Sequence, residues 1–230
     1  MNIYSYHLVK VSFFTGVKNL LFPFKAKGLL YSDVMANMRL GSPIFSLSRL
    51  IVTEIAVFAQ WEDEKALNDF LANTPFGKQF SKGWFVKLRL VRQWGSILGL
   101  VVQDLSNESE IDDSPVVAIT IAKMRLLQIP RFIKWGRPVE KLVRDHSGIT
   151  LASASIRFPN TVSTFSIWKT TKEMTDMVRG HSNTPKPKRH VDAMKERDRK
   201  DFHYEFTTLR FMILSESGQW NGNDNYTKSK

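Results

Sequence analysis

Apolar and polar positions alternate most cleanly over Trp84 to Trp94, where Val86, Leu88 and Leu90 interleave with Lys87, Arg89 and Arg92. A period of two predicts a strand with one buried and one wet face. Ile3 to Phe13 alternates more loosely but is rich in β-branched and aromatic types, and Leu50 to Trp61 is apolar almost throughout, so both read as strands. At Glu62 the period changes. Glu62, Asp63 and Glu64 make an acidic first turn, and Ala66, Leu67, Phe70 and Leu71 share one face of a helix that stops near Asn73-Thr74-Pro75.

Residues 104–115 (DLSNESEIDDSP) are polar and acidic and read as a link. Beyond them the order recurs: strands at Val116–Met124, Ile149–Ile156 and Thr161–Trp168, and helices within Pro130–Arg144 and over Thr170–Val178. A Pro-rich loop at 181–189, a helix from Arg189 to Lys200 and a strand from Phe202 to Leu214 follow. In that last strand the apolar phase slips from Phe202, Tyr204 and Phe206 to Leu209, Phe211 and Ile213, which predicts a β-bulge at Thr207-Thr208. Gly218 to Lys230 reads as a polar, frayed tail.

The recurrence is also literal. Val9–Leu71 laid without gaps on Val116–Val178 matches Leu20 with Leu127, Pro23 with Pro130, Lys27 with Lys134, Gly41 with Gly148, Ser46 with Ser153, Ser48 with Ser155, Phe58 with Phe165, Trp61 with Trp168, Lys65 with Lys172 and Asp69 with Asp176. Chance supplies about four such identities. The expected organisation is a first ferredoxin-like half over 1–105, an acidic linker over 106–114, a second half over 115–217 and a tail over 218–230. The fold class is α+β: duplicated ferredoxin-like units forming, within one chain, the dimeric α/β-barrel-like sheet sandwich that elsewhere needs two subunits, with a cavity between or inside them.

Composition narrows the chemistry. The 230 residues are 43% hydrophobic and 12% aromatic, enough for a core, and no apolar run reaches the 18 or so residues of a membrane span, so a cytoplasmic protein is expected. There is no Cys, which excludes disulfides, iron–sulfur clusters and thiolate-held metals. Net charge is +11, with an acidic excess only in residues 62–114. Such a balance suits nucleic acid, an anionic membrane or an acidic protein, but no nucleic-acid module is present. Phe13–Leu30, apolar with basic edges, reads either as a membrane-facing segment or as a buried helix and loop.

Dinucleotide, phosphate-loop, nucleophile-elbow and zincin motifs are absent. His190-Val191-Asp192 and His203-Tyr204-Glu205 each resemble part of a two-His-one-carboxylate iron site, although on a helix positions 190 and 192 diverge by about 200°. A single His on a helix beside aromatic walls and cations is what an axial haem ligand needs; His190, with Met194 one turn on and Arg189 and Arg197 near, is either that or a solvated residue of a basic helix. Trp61 and Trp168 read as matching core positions before they read as cavity lining. Arg210, among aromatics, needs a partner such as Glu205 or an anionic ligand.

Ser163-Thr-Phe-Ser-Ile-Trp168, Met174, His190 with Met194 and Arg197, then Phe202, Glu205, Arg210-Phe211 and Gly218-Gln-Trp220-Asn-Gly222 resemble, in order and spacing, the C-terminal half of the spheroidene monooxygenase family of carotenoid biosynthesis. Asp201 stands where that family has a Trp, and the loop before His190 is longer. The resemblance implies a haem-containing monooxygenase that oxygenates a long apolar polyene or isoprenoid, fed electrons by a ferredoxin; an acidic ferredoxin would suit the +11 charge, and Phe13–Leu30 would suit peripheral membrane contact. It makes His190 the iron ligand, Arg197, Trp168 and Phe165 the cofactor's surroundings, and Arg210 and Glu205 catalytic. Two other readings stay open: a cofactor-free α/β-barrel monooxygenase or small-ligand binder, and a basic membrane- or nucleic-acid-binding module.

Overall fold

Helix starts follow the cap residues in the sequence. Ser12 Oγ accepts from the Thr15 N–H, Asp63 from Ala66, Thr74 from Gly77 and Thr170 from Glu173, each satisfying a first-turn donor that the helix itself leaves unpaired. In the computed structural model, which describes residues 2–43, 46–102 and 113–228, these caps open four of six helices. The elements are β1 (Ile3–Lys10), α1 (Phe13–Leu21), β2 (Leu29–Met38), β3 (Ile51–Trp61), α2 (Glu64–Asn73), α3 (Pro75–Phe80) and β4 (Trp84–Ser96), then β5 (Val116–Met124), α4 (Ile129–Arg144), β6 (Ile149–Arg157), β7 (Thr161–Trp168), α5 (Thr171–Arg179), α6 (Arg189–Arg199) and β8 (His203–Ser217). The expected linker, 106–114, falls almost wholly outside the described residues.

The strands close into an antiparallel barrel in the order β1-β3-β2-β6-β7-β5-β8-β4. Within each half the spatial order is fourth, first, third, second, the ferredoxin-like arrangement. The halves join at two seams, β2 with β6 and β4 with β8. The barrel encloses Tyr4, Tyr6, Phe58, Val86, Leu88, Ile119, Phe165 and Phe211. A second core, with Trp61, Leu67, Phe70 and Phe80, lies between the first half's outer face and its helices; a third, with Trp168, Leu142, Met174 and Met177, answers it in the second half. Helix α1 packs closely because Gly16 has no side chain: a Cβ there would sit 1.8 Å from the Val52 carbonyl oxygen.

Trp61 and Trp168 are structural counterparts, the first opposite Ile3 and Leu29, the second opposite Val116 and Ile149. The gapless match holds from Phe58/Phe165 through Asp69/Asp176 and fails upstream. Gly41 follows β2 whereas Gly148 precedes β6, and Pro23 lies in a coil whereas Pro130 lies in α4. Unequal connections cause this: residues 39–50 join β2 to β3, but only 158–160 join β6 to β7, and α4 is longer than α1.

Four local expectations change. The strand from Ile3 ends at Lys10, because Ser12 caps a helix within the predicted strand. Strand β2 was invisible to periodicity, since its inward positions carry Asp33 and Asn37 as well as Tyr31 and Met35. No bulge occurs at Thr207-Thr208: Phe206 to Met212 pair continuously with Ala122 to Val116, and the irregularities of this strand lie at Tyr204, between His203 and Glu205, and at Leu214 on the β4 side. The apolar phase slips because both faces of β8 are buried, Phe206 under the helices and Leu209 and Phe211 inside the barrel. The tail is ordered rather than frayed through Lys228. Trp220 and Tyr226 are buried, the Tyr226 and Thr227 N–H groups donate to Glu216 at 2.9 Å each, and Thr150 Oγ1 donates to the Tyr226 carbonyl at 2.6 Å. Among the described residues no helix is long and apolar enough to cross a membrane.

Candidate functional site

The barrel interior is packed rather than hollow. Tyr6 stacks on Phe165 with ring centres 3.9 Å apart, and Tyr4 lies against Phe211 at 5.2 Å. At the end of the barrel where β2 and β8 begin and β5 and β6 finish, the lining turns from aromatic to ionisable. Asp33, 1% exposed, is held by Arg157 Nη2 at 2.7 Å on Oδ1 and by a short hydrogen bond donated from the Tyr31 hydroxyl to Oδ2. Beside this group Lys123 Nζ meets Glu205 Oε2 at 2.8 Å. The first half supplies Tyr31 and Asp33 and the second supplies Lys123, Arg157 and Glu205, so the cluster exists only in the closed barrel.

Residues 97–102 lie across this mouth. Ile97 and Leu100 plug into the core, the Leu98 N–H donates to Glu205 Oε2 at 2.8 Å, and Gln60 Nε2 donates to the Val101 carbonyl at 2.8 Å. Gly99, with φ of 90°, lies over the Tyr31 ring in a left-handed conformation that favours glycine.

Burial lifts the Asp33 carboxyl above its ordinary range, against the opposing pull of Arg157, the Tyr31 hydroxyl and Lys123. Burial and the neighbouring Asp33 charge push the Tyr31 hydroxyl up as well. Glu205 goes the other way: its partial burial would raise it, but the hydrogen bonds from Lys123 and the Leu98 N–H hold it below the usual carboxylate range. One carboxyl poised to exchange a proton therefore sits beside one kept ionised. Such divergence of neighbouring acids marks candidate acid–base sites.

Of the residues that the motif assigned, only Glu205 belongs to this cluster. Arg210 is on the outer face of β8, its guanidinium 5.1 Å from the centre of the Trp94 ring, and the partner of Glu205 is Lys123. Phe165 is inside the barrel, on the opposite face of β7 from Trp168, which packs with Leu142, Met174 and Met177 beneath the helices. Arg197 lies over Phe206, 4.3 Å from the ring centre. His190 is half-buried in the first turn of α6, outside the barrel, with Nδ1 3.0 Å from the Val178 carbonyl oxygen. Among the described residues no group of three His or acidic side chains could hold a metal.

A haem needs a neutral imidazole with a free nitrogen, a flat apolar slot and cations at its edge. His190 meets the first condition: burial lowers its pKa, partly offset by the Val178 carbonyl, and that bond engages Nδ1 and leaves Nε2 to ligate. A groove of about 370 Å³ beside α6, lined by Lys134, Arg137, Lys141 and Arg189 with Ile133 and Pro138, offers the cations. The assigned walls do not fit, because Phe165, Trp168 and Arg197 occupy three separate environments. The set assigned to haem does not form one site.

No family model and no curated protein matches the chain. Solved structures do match. An aldoxime dehydratase crystallised with butyraldoxime aligns over 97% of this chain and 84% of its own, with 7% identity and a TM-score of 0.52. A protein from Fusobacterium nucleatum described as a monooxygenase covers 99% and 98% at 11% identity and a TM-score of 0.42. A ferredoxin-fold protein from Listeria monocytogenes, related to antibiotic biosynthesis monooxygenases, covers 93% and 97% at 12% identity and 0.31. At 7% identity the likeness to the aldoxime dehydratase is one of fold alone.

Sequence reasoning missed Tyr31, Asp33, Lys123 and Arg157. One signal was present: Asp33 and Asn37 interrupt the apolar run Leu29–Met38, where a strand buried on both faces has no ordinary use for a carboxylate.

Proposed function

We propose that the protein is a monooxygenase-type oxidoreductase whose chemistry occurs at the barrel mouth, with Asp33 as general base. The observation that carries this reading is the buried Asp33 carboxyl between Tyr31 and Arg157. When ionised, Asp33 accepts a proton from a substrate C–H; Arg157, through its further N–H groups, and the Tyr31 hydroxyl, released once Asp33 is protonated, donate toward the oxyanion that forms as the carbanion delocalises. Electrons from that carbanion reduce dioxygen, a C–O bond forms, and loss of water from the hydroperoxide leaves a ketone. One CH2 group and one O2 become one C=O group and one H2O, so no outside reductant is needed.

The requirement restricts the substrate. A carboxylate can deprotonate only a C–H acidified by an adjacent carbonyl or phenol, so a plain polyene lies outside this mechanism. The aromatic interior and the Leu100 plug favour an apolar molecule that takes the place of Ile97 and Leu100 at the mouth.

A second reading, haem held by His190 and electrons from an acidic ferredoxin docking on the basic surface, is favoured by the Nδ1 bond to Val178 and by the adjoining cationic groove. It would oxygenate a polyene, with walls other than Phe165 and Trp168. One experiment separates the two. Oxygen uptake with apolar phenolic or 1,3-dicarbonyl compounds should fall about a hundredfold or more in Asp33→Asn and be untouched by His190→Ala. Protein that acquires a Soret band from added haem, loses it in His190→Ala and turns over independently of Asp33 would replace the first reading with the second.

A further inference from the structure

The mouth that holds Asp33 has an unusual rim. Leu127 is 94% exposed, Leu98 79%, Phe158 70%, Val101 59%, Leu126 57% and Tyr204 52%. They come from four separate segments, yet the contacts run continuously around one end of the barrel. The Leu98 N–H reaches Glu205 next to Tyr204, the Asn160 amide reaches both the Tyr204 hydroxyl and the Met124 carbonyl, and Met124 leads into Leu126 and Leu127. Large side chains are exposed singly on most surfaces; an arc of them along one side of a polar opening is a patch that calls for an occupant.

Charge says which occupant. Arg125 and Lys200 stand exposed beside Leu126, where the Arg125 N–H donates to the Phe202 carbonyl. On the β4–β8 side, Arg92 and Arg210 flank Trp94, which is 43% exposed, at 5.5 and 5.1 Å. The described acids nearest the rim are engaged, Glu205 with Lys123, Asp33 with Arg157 and Asp201 with the His203 ring at 2.8 Å, while the exposed Glu62 and Asp63 lie across the mouth, beyond β3. Apolar tips on separate turns, cations set back from them, and Trp and Tyr at the boundary match the layering of a bilayer surface, with acyl chains beneath anionic headgroups.

We propose that this end of the barrel docks on an anionic phospholipid bilayer, so that the substrate reaches the mouth from the lipid phase. The substrate route rests on the reading of Asp33 as the reacting base; the docking does not. The surface is distinct from Phe13 and Phe14, which follow β1 at the opposite end of the barrel.

Co-sedimentation of the full chain with vesicles of phosphatidylcholine, or of an equimolar mixture with phosphatidylglycerol, tests the proposal. The wild type should bind the mixed vesicles and lose binding as salt rises. Leu98→Ser/Leu127→Ser/Phe158→Ser should weaken binding at least about tenfold, Arg125→Glu should weaken it on the mixed vesicles alone, and Phe14→Ser should not change it. Leu127→Trp, at a position the core does not use, reports insertion directly through a blue shift of the difference emission. Failure of the wild type to sediment, loss of binding in Phe14→Ser rather than in the rim variant, an unshifted Leu127→Trp spectrum, or a rim variant that instead abolishes self-association would overturn the proposal. Asp33→Asn should bind vesicles as the wild type does. Its oxygen uptake therefore tests the general-base reading independently of docking.

Discussion

Asp33 is costly to the fold. Because burial raises its pKa above the ordinary value of 3.8, the stabilisation it allows is fully present below that value and is lost as pH rises through the folded one. Asp33→Asn should therefore raise stability at neutral pH by about 1 kcal/mol while removing turnover, the gain vanishing below about pH 4; chemical denaturation at both pH values checks it, and a destabilised variant at neutral pH would mean that Arg157 needs the charge. His7 shows the opposite sign. It is 1% exposed, against Phe85 at 5.2 Å and bonded to Ser5 Oγ at 2.9 Å, and burial lowers its pKa from 6.5 to about 3. Its neutral form is stable above the unfolded value, and stability is lost as pH falls from there through the folded value, at up to about 1.4 kcal/mol per pH unit. His7→Gln should flatten that slope in denaturation midpoints measured between pH 6.5 and 4.

At the scale of elements, legibility followed how each face was used. Strand β4 alternates because Val86, Leu88 and Leu90 face the core while Lys87 and Arg92 face water, and it was readable. Strand β2 was not, because its inward row mixes Tyr31 and Met35 with Asp33 and Asn37, the kind of local inconsistency expected where function overrides folding. Asn37 is satisfied only across the barrel, donating to Glu54 at 2.7 Å and accepting from Ser153 at 2.5 Å, partners no local window contains. Residues 97–102 depend on Glu205 in the same way. Glu205→Gln should weaken the ion pair with Lys123 and loosen that segment, so the Leu98 amide should exchange with solvent at least about tenfold faster, a loss of some 1.4 kcal/mol of local protection. Unchanged exchange would show that Ile97 and Leu100 alone hold the segment down.

The whole molecule is closed by two unequal seams. Phe85–Ser96 runs along Ser217–Phe206, whereas β2 meets β6 only at Ala36–Met38 against Ile156–Ala154. The short seam is clamped from outside: Glu140 of α4 accepts from the Gly41 N–H at 2.8 Å and pairs with Arg49 at 2.9 Å, with both side chains largely buried. Glu140→Ala leaves Arg49 without that partner and should cost roughly 3–5 kcal/mol, with exchange rising first along β2 and β6. Urea midpoints and amide exchange together test whether this seam is where the barrel opens.

Local order determined a good deal by itself. Hydrophobic period and cap residues specify most strands and helices, and the repeated Trp61 and Trp168 announce two like halves, since those signals act between near neighbours in the chain. The site did not follow from it. Phe165, Trp168, Arg197 and Arg210 lie close in sequence to one another or to a motif, yet strand alternation sends Phe165 and Trp168 to opposite faces, and helix α6 and the outer face of β8 place Arg197 and Arg210 outside the barrel. Only closure brings Asp33 of one half to Arg157 of the other, because a barrel unites residues by register across strands, and register is set by long-range pairing rather than by any stretch of sequence.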